Sequence, residues 1–164
     1  MKKLTPIEIA YRYVEKAKQV LIEKGEYDSE FESYQNRRAV RSAGKLLWRA
    51  EEIMINAVFN VKTEQLPNPD IRDYMNVVAR HDYKLSKMIE AEYLHLWSAM
   101  GDLGIQSKSI CDLGFKDANR FIAILAKLLP QQPGADASLP AQRAKLLTQQ
   151  RPTRRPSQPS LQSA

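Results

Sequence analysis

Apolar residues recur at helical spacing through most of the first 129 residues. Ile7, Ala10, Val14, Ala17 and Leu21 follow three or four places apart, which gathers them into one stripe on a helix. Thr5-Pro6-Ile7-Glu8 opens that helix. Thr5 caps, Pro6 is pre-set for the first helical position, and Glu8 completes a capping box. Gly25 closes it. A second, longer helix is expected from about Ser33, or from Ser29, to about Asn60. Its stripe is Ala39, Ala43, Leu46, Leu47, Ala50, Ile53, Met54 and Ala57.

Leu66-Pro67-Asn68-Pro69 is a loop, because two prolines in three residues stop a regular element. Asp70 then caps a shorter helix with Asp73 in its first turn. A break is expected around Arg80-His81-Asp82, with Asp82 capping a fourth helix that runs to about Met100. Leu85, Met88, Ile89, Leu96 and Met100 share one side of it, and Gly101 and Gly104 mark its end. Ser109, with Asp112 three residues on, is expected to cap a fifth helix striped by Ile110, Ala118, Phe121, Leu125 and Leu128. Period-two alternation is absent, so no strand is expected. The pattern predicts an all-α bundle of about five helices.

The pattern stops after Leu129. Residues 130–164 are rich in Pro, Gln and Ser and contain no aromatic residue. Such a segment buries too little apolar area to offset its ordering entropy. The expected organisation is a helical bundle over 1–129 and a disordered basic tail over 130–164, with at most a helical turn or two around 140–149. The tail also explains the charge. It holds Arg143, Lys145, Arg151, Arg154 and Arg155 against Asp136, a net of +4 out of the chain's +6. A high pI that resides largely in the tail says little about the folded part. No stretch approaches the length of apolar residues that a membrane span needs. The basic opening has no apolar run behind it, and the lone Cys111 has no intrachain disulfide partner. A soluble cytoplasmic protein is expected.

Within the bundle, NRRAVRSAGKLLWR over residues 36–49 carries five positive charges and no negative one. Arg37, Arg38, Arg41, Lys45 and Arg49 all fall opposite the apolar stripe of the second helix. That is where charges go on any amphipathic helix. Trp48, however, sits among them, and an aromatic among arginines is a mix that stacks bases and holds phosphates. A long central helix is also covered on more than one side, which would make Trp48 a second-face core or dimer residue.

Glu92-Tyr93-Leu94-His95 holds a Glu-x-x-His pair, the spacing used in di-metal helical bundles. No second pair exists. Glu51 lies at the edge of its stripe and Glu52 on the charged side, so no metal site is expected. Glu92 falls inside the apolar stripe of the fourth helix, where a carboxylate needs a partner or a proton. Glu92 and His95 are therefore candidates for a small polar pocket. There is no Gly-rich phosphate loop, no Gly-x-Ser-x-Gly elbow and no Cys-x-x-Cys, so no cofactor is expected. Cys111 stands at a helix N-terminus, where a thiolate is favoured, yet close to the apolar stripe, where it packs as a small side chain.

A layout emerges from these positions. Tyr34 and Ala39-Val40-Arg41-Ser42-Ala43-Gly44 lead into the long helix. Arg80-His81-Asp82-Tyr83-Lys84-Leu85 and Tyr93-Leu94-His95-Leu96 follow, then Gly101, Gly104, Asp112-x-Gly114 and Ala118. Over residues 5–128 this resembles a family of small uncharacterised bacterial helical proteins, similar in layout to HEPN domains. The resemblance implies a five-helix bundle, a dimer and a cytoplasmic role. HEPN nucleases carry an Arg and a His on one helix with four to six residues between them. Here the corresponding places hold Tyr74, Met75 and Asn76 before His81, and Met88, Ile89 and Glu90 before His95. A nuclease role has no residues to rest on.

The leading expectation is a non-enzymatic, dimeric interaction protein, with a protein partner as a further expectation. Trp48, Ile55, Leu113, Phe115 and Ile124 lie off the main stripes and need covering. The alternative is an RNA- or nucleotide-binding module using Arg37, Arg38, Arg41, Lys45, Trp48 and Arg49. A third reading is an enzyme built on Glu92 and His95.

Overall fold

The first helix begins where its capping box sets it. In a computed structural model that describes residues 3–130, α1 spans Pro6–Lys24. Thr5 Oγ1 accepts from the Glu8 amide at 3.2 Å, and Glu8 Oε2 accepts from the Thr5 amide at 2.7 Å. Ala10, Val14, Ala17 and Leu21 are buried. Gly25 ends the helix for reasons of space. Its own φ is −72°, but a Cβ there would lie 2.3 Å from the Leu21 carbonyl oxygen and 2.6 Å from the Tyr34 ring.

The chain then departs from expectation. Residues 27–34 form a small antiparallel hairpin, β1 (Tyr27–Asp28) and β2 (Ser33–Tyr34), with Tyr27 opposite Tyr34. The expectation of no strand is therefore corrected. Strands of two residues are too short for alternation to register. Asp28 Oδ1 holds the turn by accepting from the Glu30 and Phe31 amides. The start of α2 moves too, from Ser33 or Ser29 to Arg37, because the Asn36 side chain caps it by accepting from the Arg38 and Ala39 amides.

α2 runs Arg37–Phe59 and is the axis of the bundle. Of the expected stripe Ala39, Ala43, Leu47, Ala50 and Met54 are buried and Leu46, Ile53 and Ala57 half-buried, and the helix also buries Val40, Trp48 and Ile55, a second covered side. α3 (Ile71–Ala79) starts at the Asp70/Asp73 capping box, and α4 (Tyr83–Glu92) at Asp82. The fourth helix does continue past Met100, but with a changed geometry. Tyr93–Asp102 is a π-helical segment, wider than an α-helix and frequent at functional sites.

α5 spans Lys108–Ala126. Its N-cap is Ser107, not Ser109, and the Ser107 hydroxyl bonds the Ser109 hydroxyl at 2.8 Å instead of a backbone amide. Asp112 pairs with Lys108. Of the expected α5 stripe, Ala118, Phe121 and Leu125 are buried, whereas Leu128 lies beyond the helix and is exposed. The hairpin is tied to the start of α5: the Tyr34 amide donates to the Gln106 carbonyl at 2.8 Å and the Lys108 amide to the Glu32 carbonyl at 2.9 Å.

The described residues thus form five helices around a core of Leu47, Met54, Ile55, Ile89, Leu96, Met100, Phe121, Ile122 and Leu125. Each such side chain contributes about 1.5–3 kcal/mol by burial. No described helix is long and apolar enough to cross a membrane. The expected disorder of the tail and the helical turns around 140–149 lie outside the described residues.

Candidate functional site

The basic face of α2 meets the end of the π segment. Arg37 Nε donates to the Leu103 carbonyl at 2.8 Å, and Arg41 Nε donates to the Gly101 carbonyl at 3.3 Å. A helix end leaves its last carbonyls unpaired and carries partial negative charge, so cations belong there. Lys45 Nζ stands 3.9 Å from Asp102 and 5.2 Å from the centre of the Trp97 ring. Arg49 pairs with Glu52 at 3.2 Å. Gly104, at φ +61°, lies against the arginine stems; a Cβ there would sit 2.7 Å from Cγ of both Arg37 and Arg41. Four of the five charges thus engage partners within the bundle, and three of them dock residues 101–104 onto α2. The Arg38 side chain is exposed and has no hydrogen bond or ion pair among the described residues.

Trp48 is only 3% exposed. Its ring meets Tyr74 edge-on at 6.3 Å and Tyr93 at 5.1 Å. A ring held on two sides by other rings is not open to stack on a base, so Trp48 is removed from the expected nucleic-acid surface. Ile55 is fully buried too, while Phe115 and Ile124 pack partly against the core. Leu113 stays exposed.

The second candidate pair, Glu92 and His95, opens onto a larger polar cluster. Glu92 closes α4 and is 4% exposed, with its Oε2 unpartnered. Glu51, on α2, is 0% exposed, and neither of its carboxyl oxygens has a partner. Burial, then the charges of Glu92 and Asp117, push the Glu51 carboxyl well above the usual range. Burial and the Asp117 charge push Glu92 up to about 7, against the pull of Arg120. Asp117 lies on α5, 3.5 Å from His95 Nδ1 and 3.7 Å from Arg120 Nη2. His95 Nε2 is 3.0 Å from the Ile110 carbonyl, which can only accept, so that nitrogen carries the hydrogen. Burial thus disfavours the charged form of both Glu51 and Glu92. Among the described residues no three His, Cys, Asp or Glu side chains come together to hold a metal ion.

Sequence reasoning placed Glu92 and His95 but left Glu51 at the edge of its stripe, and Asp117 and Arg120 unremarked. A signal for Glu51 was present. Leu47, Met54 and Ile55, at four before and three and four after, are all buried and enclose its position on the helix. Cys111 packs as a small side chain. Burial, then the Asp112 charge, pushes its thiol up to about 11 despite the helix N-terminus.

A solved structure, a protein of unknown function from Dyadobacter fermentans, is similar in fold, with a TM-score of 0.64 at 23% identity. The match covers 74% of this chain and 93% of that one. No curated protein matches the chain. Residues 5–127, nearly the whole bundle, match the family model described as "Domain of unknown function (DUF5618)", and the chain belongs to that family.

Proposed function

We propose that the protein is a non-enzymatic interaction module that works as a homodimer. The observation that carries this is a groove between α1 and α5. Val14, Leu21, Ile22, Tyr34 and Phe115 line a cavity of about 330 Å³ there, and Glu15, Lys18, Asp112 and Asn119 also border it. Ile22 is 74% exposed at this groove. The hairpin that supplies Tyr34 also carries Phe31, 71% exposed, at its turn. A second copy is the fitting occupant. Projecting apolar side chains and an apolar groove belong to neighbouring elements, and the border holds charges of both signs, so the same patch on two copies can pair with itself about a two-fold axis. The HEPN-like layout supports the same reading, since that group commonly dimerises, and the missing Arg/His pair fits a non-enzymatic role. A cytoplasmic location belongs to the proposal as well, supported by a single buried thiol.

Sedimentation equilibrium of the full chain tests it. The wild type is expected to be a dimer and Ile22→Glu a monomer with unchanged helicity. A monomeric wild type at roughly 100 µM, a concentration at which even a micromolar dimer would be formed, would refute it.

Nucleic-acid binding by Arg37, Arg38, Arg41, Lys45 and Arg49 is the second reading, favoured by the exposure of all five. It requires affinity that falls steeply with salt and that Arg38→Glu/Lys45→Glu removes.

A further inference from the structure

Four aromatic rings converge beside the basic face. Trp48 from α2, Tyr74 from α3, and Tyr93 and Trp97 from the π segment line a cavity of about 440 Å³, together with Glu52 and Asp70. That volume lies within the range of small-molecule sites. The rings are set at fixed angles to one another. Trp48 meets Tyr74 at 90° and Tyr93 at 79°, and Tyr93 and Trp97 are nearly parallel at 12° with centres 6.3 Å apart. The Tyr74 hydroxyl is held at 3.0 Å by Asn56 Nδ2, which also donates to the Glu52 carbonyl at 2.9 Å. The walls are thus formed before any ligand arrives, with Trp48 and Tyr74, each 3% exposed, as the buried backing and the half-buried Tyr93 and Trp97 as the rings a ligand would meet.

The chemistry of these walls selects a cation. Aromatic faces carry negative potential, and two carboxylates add to it. Lys45, outside the lining of this cavity, places its ammonium 5.2 Å from the Trp97 ring centre, so that ring already holds a cation of the chain itself. Ring faces favour a diffuse charge spread over alkyl groups. A primary ammonium, by contrast, must find acceptors for its N–H groups. Glu52 shares its charge with Arg49, and Asp70 caps α3, so both serve as fixed charges for attraction. We propose that this pocket binds a small molecule bearing an alkylated ammonium group.

Trp48 and Trp97 are the two tryptophans of the chain, so intrinsic fluorescence reads this site directly. The full chain is titrated with choline and, in parallel, with its neutral isostere in which carbon replaces the quaternary nitrogen. A saturable change is expected with choline, and binding about tenfold weaker with the isostere. Glu52→Gln, a change near the surface, is expected to weaken choline binding several-fold while leaving helicity intact. Trp97→Leu is expected to abolish it, as read by calorimetry. Equal binding of choline and the isostere, or no saturable response to choline, would overturn the proposal. So would unchanged affinity in Glu52→Gln. Tighter binding of a trimethyllysine peptide than of choline would also overturn it, in favour of a peptide partner.

Discussion

Gly44 of α2 faces Gly101 of the π segment so closely that a Cβ on Gly44 would lie 2.6 Å from the Gly101 nitrogen and 2.6 Å from the Leu96 carbonyl oxygen. Backbone atoms cannot swing aside as a side chain can. Gly44→Ala is expected to cost about 1–3 kcal/mol through forced separation of the two segments. Gly101→Ala should cost less, because its nearest contacts, the Leu96 carbonyl oxygen at 3.1 Å and Lys45 Cγ at 3.2 Å, need give by only a few tenths of an ångström. Urea unfolding of the two variants checks the order.

The two arginines that precede Gly44 on α2 hold the end of the π segment. Arg37→Gln and Arg41→Gln each remove a side-chain donor to a terminal carbonyl. Each is expected to lower Tm by about 3 °C, equivalent to about 1 kcal/mol in a domain of this size. Arg38→Gln, with no partner to lose among the described residues, should leave Tm unchanged. Equal effects at all three positions would contradict a docking role.

Trp48 is a core residue by its contacts, so Trp48→Ala is expected to destabilise the fold by about 3–5 kcal/mol. Denaturant unfolding measures this. An effect near zero would return Trp48 to the surface.

Stability should fall as pH rises toward neutrality. Glu92 has its folded-state pKa raised from 4.5 to about 7, so the folded chain holds a proton that the unfolded chain has released. That contribution is whole below about pH 4.5 and is lost as pH rises through about 7. Glu51, raised by the same causes, acts in the same direction. Glu92→Gln is expected to flatten the pH dependence and to stabilise the protein at pH 8 by on the order of 2 kcal/mol. Urea midpoints at pH 5 and pH 8 decide it. Equal destabilisation at both would show that the carboxyl is needed for its bonds and not for its proton.

What the sequence disclosed was local chemistry. The boxes at Thr5/Glu8 and Asp70/Asp73 and the cap at Asp82 join residues three apart, so each start was readable from a few letters. The hairpin was not. Its strands are two residues long, and Glu26 and Glu32 adopt positive φ without being glycine. The π geometry was hidden as well, since the Gly44–Gly101 approach is a tertiary fact. The targets of Arg37 and Arg41 lie 66 and 60 residues away, so a helical wheel could show where those charges point but not what they meet. Glu51 illustrates the same limit, because the neighbours that raise its pKa, Glu92 and Asp117, stand on other helices.

The most direct test of the dimeric reading follows the Ile22 methyl group by NMR as the full chain is concentrated. Ile22 projects from α1 beside the groove that contains Phe115, and burial against a second copy would bring it under aromatic rings. Its methyl signal is expected to move upfield with concentration, together with changes at Phe31, while Ile55 in the core stays fixed. An Ile22 methyl that remains at its solvent-exposed position at every concentration would contradict the account.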